Sequence, residues 1–400
     1  MKWFRRAEYK KGMKILFLTD SITTLGGAQR VTSVIANELS KSNNITVISR
    51  CDCSERLYYI DPNVEILSFS DLGINYYFHY YEKALKLLNR LTGILDRFGI
   101  KSEYYPKRYQ KEISEYININ KFDVVIGVQG YWAYFLGCIR KRVNCKLVGW
   151  QHNSYDAYFN NRYRYYYHQD RVSKSLICKL DEYIVLNEYD QELFKKHMNI
   201  NVKYIYNPKS FETDLPSDLS HHKFIAAGRF NYAKGYDLLI KAYKKYCSLT
   251  ENSWPLEIIG AGEEESSYKR IIHDLQLDDK ISVLAYTNDI QSSFRTASCL
   301  LLSSRWEGMP MIVLEAMEMG VPTISFDIQA IKPLIKDDWN GLVVEKYDLD
   351  AYAKAMYIIS TNEELRNRYA NNSRIKAKEF SIDSISQIWE NELKRICKDI

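Results

Sequence analysis

The feature that most constrains this chain is one alternation of apolar runs that occurs twice. MKILFLTD (13–20) is a short apolar run followed by a Gly-containing turn. AQRVTSVIANELS (28–40) then places Val31, Val34, Ile35 and Leu39 at helical spacing, and NITVIS (44–49) is apolar again. Short apolar runs between turn formers read as buried strands, and a 3.6-residue apolar period reads as helix. Further strand candidates are 64–69, 122–128, 145–151, 182–187 and 202–207. NPKSFETDLPSDLSHH (207–222) is rich in turn formers and reads as a linker. The alternation then restarts, with strands at 223–228, 256–262, 280–286, 298–304 and 321–327 and helices over 236–246, 263–275 and 310–320. This order predicts an α/β chain with two Rossmann-like domains, 13–207 and 208–380, each a doubly wound parallel sheet. A chain of 400 residues is too long for one core, which agrees. Ligands bind at the carboxyl ends of such strands, so the expected site is a central cleft that the two sheets face.

Composition narrows the class. An apolar content of 46% with 26% charged residues fits a globular chain in water. No apolar run approaches the roughly 20 residues of a membrane span. MKWFRRAEYKKG (1–12) is basic without the apolar centre of a signal peptide, so the expected location is the cytoplasm. The eight cysteines are irregularly spaced, and Cys51 and Cys53 have no partner pair in a metal-binding pattern, so reduced thiols are expected. Residues 1–206 carry 31 Lys and Arg against 21 Asp and Glu, a net of +10, and residues 207–400 carry 24 against 29, a net of −5. Two modules with different partners fit this asymmetry. A total of +5 with no basic stripe outside 76–111 argues against a nucleic-acid binder.

Several residues fall where strands end. In TLGGAQR, Gly26 and Gly27 let backbone approach a ligand ahead of a helix N-terminus, which favours an anion; a tight strand-to-helix turn explains them as well. Arg229 follows a strand directly, and Lys234 lies five residues on at the mouth of the next helix. These two cations could hold a diphosphate, or be solvated surface charges; Lys at a helix N-terminus runs against the dipole and favours the first reading. Glu307 follows CLLLSS, and Gly308 and Pro310 set up the next helix, whose amides at Met311 and Ile312 could meet phosphate oxygens. Glu315 lies inside that helix with no Lys or Arg at i±4, so a carboxylate in apolar surroundings is expected to take a ligand hydroxyl pair. His152, in GWQHNSYD, falls at a strand end of the first domain, where a structural or a functional histidine fits. No Asp-x-Asp follows a strand; Asp348 and Asp350 read as a helix cap, so no metal is expected.

Taken together, GGAQRV, QHN, YNP, GRFNYAKGYDLLIKAY, IIGAGEE, SSRWEGMPMIVLEAMEMGVPTIS and NGLVVE resemble the retaining glycosyltransferases of family 4, which have the GT-B fold. The likeness runs from residue 13 to about 395, and EGMPMIVLE matches the family's Glu-x7-Glu signature. The usual Gly after ISVL is Ala285 here. The resemblance implies that Arg229 and Lys234 bind the donor diphosphate, Glu307 holds donor-sugar hydroxyls and Glu315 takes the ribose hydroxyls. It implies that the amides of Met311 and Ile312 and the Gly26–Gly27 turn approach the phosphates, and that His152 bonds the donor sugar near the reacting carbon. It implies that NGLVVE closes the second domain and that a C-terminal helix of about 381–398, opening on the capping residue Ser381, packs back on the first.

The activity implied by the resemblance is a retaining, metal-independent transfer of a hexose from a nucleotide sugar, by front-side displacement and without a further cofactor. UDP-sugar is the favoured donor. The implied pathway is bacterial surface-polysaccharide (capsule or O-antigen) assembly, and a GDP-mannose-dependent mannosyltransferase and a non-catalytic nucleotide-sugar-binding scaffold are the alternatives. Residues 76–111 hold eight Lys and Arg against three acids, with Leu85, Leu88, Leu91 and Leu95 in line with Tyr80 and Tyr81. A basic amphipathic helix of this kind fits an anionic membrane surface, or packs its apolar side on the sheet. The first reading gives a peripheral protein on the inner face of the cell membrane, acting on a saccharide or lipid-linked saccharide acceptor. NRYRYYYH (161–168) offers rings for sugar stacking or a helix packed on the domain.

Overall fold

The structure, a computed structural model, describes residues 12–24, 26–51, 57–74, 79–98, 105–161 and 163–398, without the side chains of 79–82, 86 and 95. Its first sheet contains β1 (Lys14–Thr19), β2 (Asn44–Ser49), β3 (Val64–Ser68), β4 (Val124–Val128), β5 (Lys146–Trp150), β6 (Glu182–Val185) and β7 (Lys203–Tyr204). All are parallel, in the order β3-β2-β1-β4-β5-β6-β7. The second contains β8 (Phe224–Ala227), β9 (Leu256–Gly260), β10 (Ile281–Ala285), β11 (Cys299–Leu302), β12 (Thr323–Phe326) and β13 (Gly341–Val344), also parallel, in the order β10-β9-β8-β11-β12-β13. Helices cover both faces of such sheets, so central strands are apolar throughout rather than alternating. All residues of β4, β11 and β12 are buried accordingly, whereas edge strand β10 exposes Ser282 and Leu284. In each sheet the strand order reverses once, between β1 and β4 and between β8 and β11, the place where such sheets bind ligands at their carboxyl ends.

Two compact units result: the described chain up to Tyr206 with the stretch from Ile385, and Asn207–Ser384. The last helix, Ile382–Lys398, is capped by Ser381, whose hydroxyl accepts the Ser384 amide at 3.2 Å. Its Trp389 is fully buried, with its ring edge-on to Trp150 at 4.7 Å. Asn43 donates to Glu390 at 2.7 Å, Lys203 to Glu392 at 2.7 Å and Arg395 to Glu182 at 2.7 Å. An apolar stripe on the helix thus enters the first unit's core while its flanks are tied by charge.

The structure sharpens two expectations and corrects a third. Residues 207–222 form no helix or strand, as a linker reads, and their first part is strapped along the helix Met311–Glu318, where it partners two carboxylates of that helix. Lys209 donates to Glu318 at 2.7 Å, the Thr213 amide to Glu318 at 2.8 Å and Ser210 to Glu315 at 2.6 Å. NGLVVE contributes a sixth strand, β13, paired with β12. Residues 76–111 are not one helix. Helices His79–Thr92 and Ile94–Arg97 are separated by Gly93 at φ +64°, and Lys107, Arg108 and Lys111 belong to a later helix, Lys107–Asn120. Tyr80, Tyr81, Lys86, Leu95 and residues 99–104 of that segment, like Cys53 and the basic stretch 1–11, lie outside the described residues or side chains. Among the described residues no helix is long and apolar enough to cross a membrane.

NRYRYYYH forms turns rather than a helix, with Arg162 outside the described residues. Tyr166 sits edge-on to Tyr134 and Tyr158, both at 4.9 Å, while Tyr163 and Tyr165 are exposed. Part of the tyrosine excess is therefore core packing.

Candidate functional site

In the second unit the sequence candidates gather at the β8/β11 switch point. The chain leaves β8 through Gly228 and Arg229, makes a short turn at Tyr232–Lys234 and enters the helix Tyr236–Cys247 through Gly235. It leaves β11 through Ser303, Ser304, Arg305 and Glu307 to the helix Met311–Glu318. Gly235 has φ +67°, and a Cβ there would lie 2.2 Å from the Ser303 carbonyl oxygen, so only glycine lets the two loops touch. Across that contact Ser303 donates to the Lys234 carbonyl at 2.9 Å and the Arg305 amide to the Ala233 carbonyl at 2.7 Å.

At the centre Lys234 Nζ donates to Glu307 Oε1 at 2.6 Å, and the Ser304 hydroxyl donates to the same oxygen at 2.6 Å. Both charged side chains are partly sheltered, 21% and 13% exposed, so water screens the pair only in part. A Cβ at Gly228 would stand 3.2 Å from Lys234 Cε, which shows how closely the lysine stem passes the strand end. Arg229 is exposed at the rim. Pro310 precedes Met311 at φ −73°, no side chain caps this helix, and no acid lies in its first turn. Among the described residues, the positive end of the helix, with the Met311 and Ile312 amides, is thus offset by neither a capping side chain nor a first-turn acid.

Sequence reading missed the residue that holds this arrangement. Arg305 is buried and makes a fork onto Asp237, at 2.9 and 2.7 Å, donates to the Tyr232 carbonyl at 2.7 Å and lies 3.9 Å from the Tyr232 ring centroid. Burial works against its charge, yet the bonds and charge of Asp237 prevail and raise its pKa above the ordinary value. It fastens the loop bearing Arg229 and Lys234 to the loop bearing Glu307. A sequence signal existed: an arginine three residues past a fully apolar strand, between Ser304 and Trp306, is a candidate for burial and then calls for an acid.

Glu315 does not share that pair. It is 2% exposed and accepts the Ser210 hydroxyl at 2.6 Å, so it has a partner within the chain, contrary to the expectation of an unpartnered carboxylate.

In the first unit, the helix Gly27–Leu39 follows β1 at the β1/β4 switch, with no side-chain cap and no acid in its first turn. The Gly26 amide already donates to the Tyr58 hydroxyl at 3.1 Å. His152 follows β5, its ring 4.2 Å from that of Trp150. Its Nε2 is buried with no hydrogen-bond partner among the described residues, and burial pushes its pKa down to about 3. The imidazole is therefore neutral at physiological pH and can donate or accept a hydrogen bond but not carry charge.

Residues 210–376 match the family model described as glycosyl transferases group 1. An uncharacterized glycosyltransferase of Haemophilus influenzae is 26% identical over 391 residues, 95% of this chain and 99% of the relative. The GalNAc-alpha-(1->4)-GalNAc-alpha-(1->3)-diNAcBac-PP-undecaprenol alpha-1,4-N-acetyl-D-galactosaminyltransferase of Campylobacter jejuni is 24% identical over 383 residues, 94% of this chain and 97% of the relative. The solved structure of Anabaena HepE in complex with UDP and glucose has a TM-score of 0.73 at 16% identity, covering 96% of this chain and 100% of that one. That likeness is one of fold, and the fold is GT-B.

Proposed function

We propose, from the match of residues 210–376 to the glycosyl transferases group 1 model, that this chain is a retaining, metal-independent hexosyltransferase using a nucleotide sugar, with UDP-sugar the favoured donor. Its acceptor is a saccharide, lipid-linked in this reading, in bacterial surface-polysaccharide assembly. The observation that carries the reading is the Lys234–Glu307 pair beside an uncapped helix N-terminus at the β8/β11 switch point. Negative charge grows on a departing nucleoside diphosphate, and fixed cations and amides stabilise it where it develops. Lys234, Arg229 and the amides of Met311 and Ile312 supply that charge. Glu307, oriented by Ser304 and Lys234, accepts hydroxyls of the donor sugar. Glu315 serves the ribose hydroxyls, with the Ser210 hydroxyl marking the place one of them takes; a carboxylate has about four acceptor sites, so both can share it. His152, held neutral, bonds the sugar near the reacting carbon, and Gly27 with Gly26 approaches the phosphates. The leaving phosphate takes the acceptor proton on the face it departs from.

A thermal-shift panel of UDP-, GDP- and ADP-sugars, run in EDTA, tests this. A ligand at 100 Kd stabilises the fold by about 2.7 kcal/mol. We expect the melting temperature to rise with a UDP-sugar. A larger response to GDP-mannose moves the donor assignment, and no response to any nucleotide sugar ends it.

The same reading puts the protein peripherally on an anionic membrane, at the cytoplasmic face where its donors are. In the helices His79–Thr92 and Ile94–Arg97 the usual polarity is inverted. Leu87, Leu88, Leu91, Ile94 and Phe98 are 42–75% exposed beside Lys83, Arg90 and Arg97, while Asn89 is buried and donates to the His168 carbonyl at 2.7 Å. The alternative of an apolar side packed on the sheet does not describe these five side chains. Apolar anchors with basic neighbours suit an anionic interface. The full chain should float with anionic liposomes at low salt, and Leu87→Ser/Leu91→Ser should stay at the bottom of the gradient. Wild-type protein that fails to float rejects the membrane reading.

A further inference from the structure

Away from the switch points, the first unit holds a cleft of about 460 Å³ beside the helix Asp170–Ile177. That volume lies in the range of small-molecule sites, roughly 300–1,000 Å³. One wall is a stacked pair, Tyr155 and His197, with ring centroids 5.7 Å apart and planes 22° from parallel. Asp190, fully buried, fixes that wall by accepting the Tyr155 amide at 2.9 Å. Opposite charges are unequal: Arg164, Arg171 and Lys174 line the cleft against one carboxylate, Asp170.

Arg171 and Lys174 are exposed, and neither forms a salt bridge among the described residues. Arg164 reaches Asp170 only at 3.7 Å and donates to the Phe159 carbonyl, while its buried Nε has no hydrogen-bond partner among the described residues. A buried guanidinium N–H without an acceptor is uncommon and calls for one. Cations in a concave, partly enclosed surface concentrate their field on an anion, and a stacked aromatic wall suits the apolar face of a sugar ring.

We infer that this cleft binds an anionic saccharide, a sugar bearing a phosphate or diphosphate, with its ring against the exposed His197 that covers buried Tyr155 and its charge on Arg164, Arg171 and Lys174. It deepens the acceptor side of the proposed function and rests on that reading for the ligand's role, not for its chemistry. Position supports a link to the membrane face. The helix carrying Arg171 and Lys174 is joined to the exposed apolar helices through the Val172 amide, which donates to Asp96 at 2.9 Å.

Titration calorimetry of the full chain with N-acetylglucosamine 1-phosphate, in excess UDP to fill the donor site, tests the inference. Neutral N-acetylglucosamine should bind at least about tenfold more weakly, and Arg171→Glu/Lys174→Glu should weaken the sugar phosphate by about tenfold or more, the loss of roughly one charged contact. Both substitutions are at exposed positions, and an unchanged circular-dichroism melt verifies folding. Equal binding of phosphate and neutral sugar, or of wild type and variant, overturns the inference. A prenyl-diphosphate-linked saccharide in micelles that binds more tightly than the soluble phosphate identifies a lipid carrier; equal affinity identifies a soluble phosphosaccharide, and either upholds the anion site. A melting response to UDP with no charge-dependent sugar-phosphate binding overturns the cleft alone. Charge-dependent binding measured without UDP, in a protein that responds to no nucleotide sugar, overturns the donor reading alone.

Discussion

Replacing Lys234 with alanine should lower kcat about 100- to 1,000-fold, the usual loss on removing one preorganised stabiliser of transition-state charge. The side chain has the position for it: its Nζ lies 2.6 Å from Glu307 Oε1, at the strand ends where a diphosphate would leave. Charge on the leaving group is larger in the transition state than in the bound donor, so the effect should fall on kcat more than on KM. Arginine should rescue poorly. The lysine stem runs past Gly228, and a planar fork is wider than an ammonium on a methylene chain. Steady-state transfer, or donor hydrolysis in the absence of acceptor, reads the effect, and a wild-type melting temperature separates it from misfolding. A folded Lys234→Ala protein with undiminished kcat would remove this residue from the chemistry. Wild-type hydrolysis that disappears in the variant would also exclude a donor-binding scaffold without activity.

Arg305→Ala should produce the largest loss of stability among the residues of this site. Its guanidinium is buried, forked on Asp237 and bonded to the Tyr232 carbonyl. Breaking a buried pair by removing one partner costs about 3–5 kcal/mol, and Asp237, 27% exposed, recovers some solvation, so about 3 kcal/mol is expected. For a unit of this size each kcal/mol lowers the melting temperature by about 2–4 °C, which gives a fall of roughly 6–12 °C. Arg305→Lys retains charge without the fork and should lie between. Arg305→Ala/Asp237→Ala should be less damaged than the two single losses together, since the second substitution removes the stranded carboxylate. Arg305 is a positioning residue, so below its melting temperature Arg305→Lys should still lower kcat by loosening the Lys234 loop. An Arg305→Ala protein with the wild-type melting temperature contradicts this account.

The residues themselves were enough for the fold because the periodicities are local. Each of β1–β12 overlaps a run recognisable from its own residues, most plainly the central strands, which are covered on both faces and so apolar throughout. β13 escaped because GLVV is short and half-exposed, and its identity depends on pairing with β12. The helix pair at 79–97 escaped in a different way. The leucine spacing was visible, but spacing does not say which way a face points, and here the buried side is the one with Asn89.

For the site, local sequence determined where the chemistry-bearing residues lie along the chain: Arg229 and Lys234 after one strand, Glu307 after another, His152 after a third. Position relative to strand ends is set by the chain's own order, so it is legible in one dimension. Partnership is not. That Lys234 meets Glu307, that Arg305 locks on Asp237 across 68 residues, and that Ser210 reaches Glu315 across 105 depends on which strands become neighbours in the sheet. The β8/β11 adjacency decides the first two, and the strap of 207–213 along the helix Met311–Glu318 decides the third. Electrostatics follows the same division. Sequence gives each group its ordinary charge, and only burial in the folded unit keeps His152 neutral well below its ordinary pKa, because desolvation acts on a side chain through everything packed around it.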